Sequence, residues 1–236
     1  MSRLLLVRHG QASFGARNYD ALSTMGGRQS RALGESLAAR GLTPDLVVRG
    51  NMRRHTGTVE GLLEGVGSSV EVRVDDGWDE FDFQHVVEVY KPMYRNRTLM
   101  KADLARTLRP LQAFQEVFEG ATARWSSGEH DEDYEESFPA FRERVAGGLE
   151  RAAELAREHK TVAVVSSGGP IAMAAALLTA GDSLEAAELA TLWSALNRVS
   201  VNTGVTKLIA GRRGLSLSTY NEHTHVETDT RLLTYR

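Results

Sequence analysis

The sequence predicts an α/β fold: a three-layer sandwich with a mainly parallel central sheet flanked by helices, and a helical insertion after the third strand. Three observations carry this. Leu4-Leu5-Leu6-Val7, Leu46-Val47-Val48 and the run from Thr161 to Val165 are apolar without alternation, as in strands buried on both faces. The segments after them combine glycine-containing loops with helical periodicity. Repeated strand–loop–helix units give parallel strands covered by helices. At 236 residues the chain fits one domain, 1–236, with an insertion over approximately 84–137.

Taken in order, the strand ending at Val7 leads into a small, polar loop from Gln11. A helix is expected from Ser23 to Arg40, capped by Ser23 or Thr24, with Leu33 and Leu37 four apart and Gly41 at its end. Pro44-Asp45 turns the chain into the second strand, and a helix with an apolar face of Val59, Leu62 and Leu63 follows. Val70, Val72 and Val74 alternate with polar residues, predicting a strand with one exposed face; Trp78 to Phe83 reads as an acidic, aromatic loop. Leu104, Leu108, Leu111 and Phe118 predict one long amphipathic helix, and Glu129 to Glu136 a solvated linker. Phe141, Val145, Leu149 and Ala152 form another stripe, ending near His159. After the third buried strand come an alanine-rich helix from Ile171 and a helix with Leu184, Leu192 and Leu196. Val199 and Val201, Val205 to Ile209, and Leu215 to Leu217 read as strands, the last two joined by a turn at Gly211 to Gly214.

Composition narrows the function. Hydrophobic residues at 42% and charged residues at 25% are ordinary for a globular chain. A net charge of −3 gives no basic field for nucleic acid or membrane, so any phosphate site must be local. The absence of cysteine excludes disulfides, thiolate ligands and thiol nucleophiles. The amino terminus enters the first strand at once and no apolar run reaches spanning length, so a cytoplasmic location is expected.

The opening strand stops at Arg8-His9-Gly10. A cation, an imidazole and a flexible backbone thus stand at the carboxyl end of a central strand, where open α/β sheets bind ligands. Leu6-Val7-Arg8-His9-Gly10-Gln11 resembles the Arg-His-Gly signature of the histidine phosphatase superfamily, the phosphoglycerate mutase-like proteins. Tyr19-Asp20-Ala21-Leu22-Ser23 with Gly26 and Gln29 is similar to that family's second segment. Met52 to Thr58 resembles the segment with its second phosphate-binding arginine, Arg54 and Thr58 standing in the matching places. Asn202-Thr203-Gly204-Val205-Thr206 resembles its late strand. The likeness covers most of the chain outside about 84–137.

The resemblance implies a phosphomonoester hydrolase acting on a small-molecule phosphate ester, with no metal or cofactor. It makes His9 the nucleophile that takes the phosphoryl group, Arg8 and Arg54 its cationic ligands, and Glu80 the acid that protonates the leaving group. A neutral imidazole is nucleophilic near neutral pH, and planar guanidinium donors suit phosphoryl oxygens. Aromatic neighbours of Glu80 would favour its protonated form, with Asp79 and Asp82 as rivals. One departure stands out. Ser167 occupies the place of the family's second histidine, and a serine hydroxyl brings one neutral donor. Gly168 and Gly169 open a helix whose amides favour an anion, a partial substitute for the lost charge. The family's asparagine in the loop after the nucleophile is also missing, with Gly15 near its place. A gain in rate for Ser167→His over a slow parent would mark the pocket as a weakened phosphatase.

Two alternatives follow. The departures motivate a catalytically weak or inactive module that binds a phosphorylated ligand. Lys91, Arg95, Arg97, Lys101, Arg106 and Arg109 in the insertion leave room for a phosphoglycerate-type mutase. An amphipathic insertion able to pair with its copy leaves a homo-oligomer open. Of the remaining histidines, His55 is expected at the pocket rim or facing solvent, and His223 and His225 on one face of a strand. His85, His130 and His159 are expected at the surface.

Overall fold

A computed structural model describes residues 2–13, 20–181 and 184–235. In chain order its regular elements are β1 (Ser2–Arg8), α1 (Thr24–Ala39), β2 (Leu46–Arg49), α2 (Arg53–Val66), β3 (Glu71–Val74), α3 (Phe83–Tyr90), α4 (Arg97–Ala105), α5 (Pro110–Ser126), α6 (Phe138–Glu158), β4 (Thr161–Ser166), α7 (Gly168–Ala180), α8 (Ala186–Arg198), β5 (Val205–Gly211), β6 (Gly214–Glu222) and α9 (Thr224–Glu227). They form two compact units, Met1–Glu80 with Arg144–Ser183 and Thr191–Arg236, and Phe81–Glu143 with Leu184–Ala190.

The first unit holds a six-stranded sheet in the order β3-β2-β4-β1-β5-β6. β1 to β4 run parallel, and β5 and β6 extend the sheet antiparallel, each to its inner neighbour. Strands β1 and β4 are central, which explains their unbroken apolar runs: Leu4 to Val7 and Val162 to Val165 are wholly buried. On one face Leu5, Val7, Val47, Ala163 and Val165 pack with Leu33 and Leu37 of α1 and Val59 and Leu62 of α2. These two helices connect strands stepping one way across the sheet. The return from β3 to β4 steps the other way, so a right-handed crossover places α6 on the opposite face. Helix α7 has no polar stripe; Gly168 to Ala176 are all buried, as befits a core helix.

In the second unit Trp125 stacks on Phe81 at 4.6 Å and meets the edge of Phe138 at 5.2 Å. Its indole N–H donates to the Glu136 carbonyl at 2.8 Å. Lys91 and Tyr94 both bond the Asp103 carboxylate, at 2.6 and 2.9 Å.

Several local expectations change. The predicted long helix is two, α4 and α5, because Pro110 can only begin a helix. Leu108 and Leu111 fall at that break and are exposed. Edge strand β3 exposes both its faces, Val72 and Val74 included. Within Trp78 to Phe83, Trp78 closes a 3-10 turn and Phe83 already begins α3. Val199 and Val201 lie between α8 and β5 rather than in a strand. Strand β6 stops at Glu222, where Asn221 has a φ of +55°, so His223 and His225 sit at the start of α9 and share no strand face. Among the described residues no helix is long and apolar enough to cross a membrane.

Candidate active site

Parallel pairing sets Arg8 beside Ser166, so the residues after β1 and β4, His9 and Ser167, emerge together at the carboxyl edge of the sheet. The His9 amide donates to the Ser166 carbonyl at 2.8 Å, and Asn202 Nδ2 donates to the His9 carbonyl at 3.1 Å. Gly10 follows because a side chain there has no room: a Cβ would lie 2.5 Å from the Gly26 carbonyl oxygen in α1. The Gly10 amide donates to Thr58 Oγ1 at 3.0 Å. The His9–Gly10 segment is thus clamped by α1, α2 and the segment before β5.

His9 is buried, and its Nδ1 lies 2.7 Å from the Gly10 carbonyl. A carbonyl only accepts, so Nδ1 carries the proton and the lone pair of the neutral ring is on Nε2. Burial, then Arg54, Arg8 and His55 nearby, hold the imidazole well below its usual pKa. The ring is uncharged at neutral pH.

The start of α2 supplies three side chains. No side chain of its own caps it; instead Asp20 reaches across, taking the Arg53 amide at 2.8 Å and Arg54 Nη1 at 2.9 Å. Arg54 is buried, and its Nη2 lies 3.4 Å from Ser167 Oγ. Thr58, one turn on, donates to the Arg54 carbonyl at 2.7 Å while accepting from Gly10. His55 corrects the sequence reading: it is neither at a rim nor facing solvent but fully buried. Its Nε2 is 2.9 Å from Ser167 Oγ and its ring centroid 5.9 Å from that of His9. Burial first, then Arg54, lower its pKa to about 3, and its buried Nδ1 has no hydrogen-bond partner among the described residues. The signal was present: His55, Val59 and Leu62 recur at the spacing of one buried helical stripe.

The first turn of α7 contributes mainly backbone. Ser167 is its N-cap, a residue that ordinarily bonds the amide two or three positions on. Here the later position is Pro170, which has no N–H, and the Gly169 amide donates to Glu80 Oε2 at 3.3 Å. The Ser167 hydroxyl caps nothing in its own helix and turns to His55 and Arg54. A Cβ on Gly168 would come within 2.6 Å of Asn197 Oδ1 and 3.6 Å of Arg8 Nε. Arg8 approaches from the far side, its Nη1 donating to the carbonyls of Ser200 and Tyr235, the latter at 2.9 Å.

His9, Arg8, Arg54, Ser167, Gly168 and Glu80 therefore gather at the ends of β1 and β4, within the sheet-bearing unit. Sequence reasoning missed the buried placement of His55 and the role of Asp20 as cap and ion-pair partner. Gly15 lies outside the described residues. Among those described, no group of three or more histidines and carboxylates is placed to hold a metal. A neutral imidazole with a directed lone pair, two guanidinium groups and a helix N-terminus suit the capture and transfer of a phosphoryl group.

Solved structures share this fold. The chain has a phosphoglycerate mutase from Bacillus anthracis as a structural neighbour, at a TM-score of 0.64 and 16% identity over 95% of each chain. A mutant phosphoserine phosphatase from Entamoeba histolytica in complex with phosphoserine superposes at 0.62 and 16% identity, over 96% of this chain and 100% of that one. A mycobacterial glucosyl-3-phosphoglycerate phosphatase in complex with VO3 does so at 0.60 and 23%, over 94% and 100%. No curated protein sequence matches the chain. The sequence model of the histidine phosphatase superfamily, branch 1, matches residues 4–124 and 107–223. The chain belongs to the histidine phosphatase superfamily.

Proposed function

We propose that the protein hydrolyses a small-molecule phosphate monoester through a phosphohistidine on His9. The observation that carries this is the Nδ1–H to Gly10 carbonyl bond, which leaves Nε2 as the nucleophilic nitrogen of a neutral ring. The Nε2 lone pair forms the N–P bond while the ester P–O bond breaks. Glu80 gives its proton to the departing alkoxide. Water then attacks phosphorus and returns a proton to Glu80, releasing inorganic phosphate and the free imidazole. Charge spread over the equatorial oxygens meets Arg54, Arg8 and the amides of α7. Rapid quenching with a ³²P-labelled ester should trap acid-labile label on His9. Undiminished turnover in His9→Ala would overturn the reading.

A second reading, a module that binds phosphate esters without turnover, draws on Arg8, whose Nη1 is already held by two backbone carbonyls. It requires saturable ester binding that depends on Arg54, with hydrolysis no faster than the buffer blank.

A further inference from the structure

The mechanism above leaves a buried imidazole unused. His55 lies beside the nucleophile, wholly removed from solvent, on a hydroxyl that does not cap its own helix. We infer that His55 is a positioning residue for catalysis: with Arg54 it orients the Ser167 hydroxyl as a hydrogen-bond donor to the transferring phosphoryl group. The inference rests on the phosphohistidine reading and deepens it.

Protons and lone pairs decide the direction of the hydroxyl. A serine hydroxyl has one hydrogen to give and two lone pairs to receive. Arg54 Nη2 can only donate, and it lies 3.4 Å from Oγ. His55 Nε2 lies 2.9 Å from the same oxygen. No acceptor holds a proton on Nδ1, so the ring proton is free to sit on Nε2, and both lone pairs of Oγ are then filled from the protein side. The hydroxyl hydrogen must then point in the remaining direction, toward an oxygen of the phosphoryl group. When Nε2 is bare, the hydroxyl turns to the ring instead and the donor is lost. His55 therefore sets the direction of a bond it does not itself make. No proton is gained or lost in the switch, since it exchanges the two neutral ring forms. Pro170 and Glu80 complete the device by removing the two amide donors that would otherwise draw Oγ back to α7.

A helix-packing role for His55 would be met by any side chain of its size. The test compares His55→Gln, whose amide nitrogen can still donate to Oγ, with His55→Met, which fills the space and donates nothing. Both are first checked for native circular dichroism and a cooperative melt. Steady-state hydrolysis of p-nitrophenyl phosphate is then measured alongside ³²P trapping on His9. His55→Met is expected to lose about 10²-fold in kcat with KM changed less than about threefold, the pattern of a lost transition-state donor. His55→Gln is expected to stay within about tenfold of the parent. Ser167→Ala should match His55→Met, and the double variant should lose no more than either alone, because the two act as one unit. Equal kcat values in His55→Gln and His55→Met, or additive losses in the double variant, would overturn the inference. If His9→Ala keeps its turnover, the phosphohistidine reading fails instead. A His9-dependent enzyme indifferent to His55→Met defeats the positioning role alone.

Discussion

Two helix beginnings frame this site, and they work by different means. The start of α2 presents side chains: Arg54 and His55 of its first turn, and Thr58 one turn on, are all buried, and each is bonded across to another element. The first turn of α7 is glycine, glycine and proline, and offers peptide groups, with the single hydroxyl of Ser167 before it. An anion at the first would be held by charge and fixed geometry. At the second it would meet a dipole and close backbone approach. In this chain the imidazole that backs the hydroxyl comes from α2, 112 residues earlier.

The comparison can be broken most forcefully at α2. Arg54→Ala should lower kcat/KM about 10³-fold, since it removes the charge-assisted donors and leaves Asp20 without its partner. Arg54→Lys should recover little, because a point charge cannot reach Asp20 and Ser167 together. Both are read by steady-state kinetics. The α7 side is tested through Glu80. Glu80→Gln should cost about 10²-fold on alkyl phosphates and far less on p-nitrophenyl phosphate, whose leaving group needs no proton.

A smaller effect separates the two helices directly. Ser167→His alone puts a second imidazole where His55 already stands, 2.9 Å from Oγ, and should lower the rate about tenfold rather than raise it. Combining it with His55→Ala should restore much of the loss. Acid offers the mildest contrast, because only α2 carries a titrating group. The folded pKa of His55, about 3, lies below the unfolded value of about 6.5, so between them the unfolded chain binds the extra proton. Stability is full above the unfolded value and falls as pH drops, by at most about 1.4 kcal/mol per pH unit for this group. Burial depresses His9, and His225 to about 4, in the same sense. Melting temperatures from pH 7.5 down to about 5 should decline, and less steeply in His55→Gln.

What the sequence made legible follows from which forces are local. Strands β1, β2 and β4 declared themselves because residues buried on both faces cannot alternate. The Ser23 cap was visible, and its hydroxyl does accept the Gly26 amide at 3.0 Å. Leu108 misled, since apolar spacing ran through Pro110, yet the residue is 103% exposed at a break between helices. At the site, the gathering of His9, Arg54 and Ser167 could be anticipated from strand ends and helix starts. The His55–Ser167 bond could not, because nothing in local spacing relates two helix starts 112 residues apart. His55 itself could have been placed, as the first member of a buried stripe whose other members were already recognised.

Arg8 is restrained through the carbonyl of Tyr235, and Gln29, which orders the Gln11 amide at 2.8 Å, is itself held by the Leu232 carbonyl at 2.6 Å. Residues 232–235 are thereby tied to the end of β1, close to His9. A version cut short before Leu232 would keep His9, Arg8, Arg54, Ser167 and Glu80 and still lose bonds that hold the Arg8 guanidinium and the Gln11 segment in register. On the proposed mechanism, removing these residues slows turnover from a point far along the chain from His9.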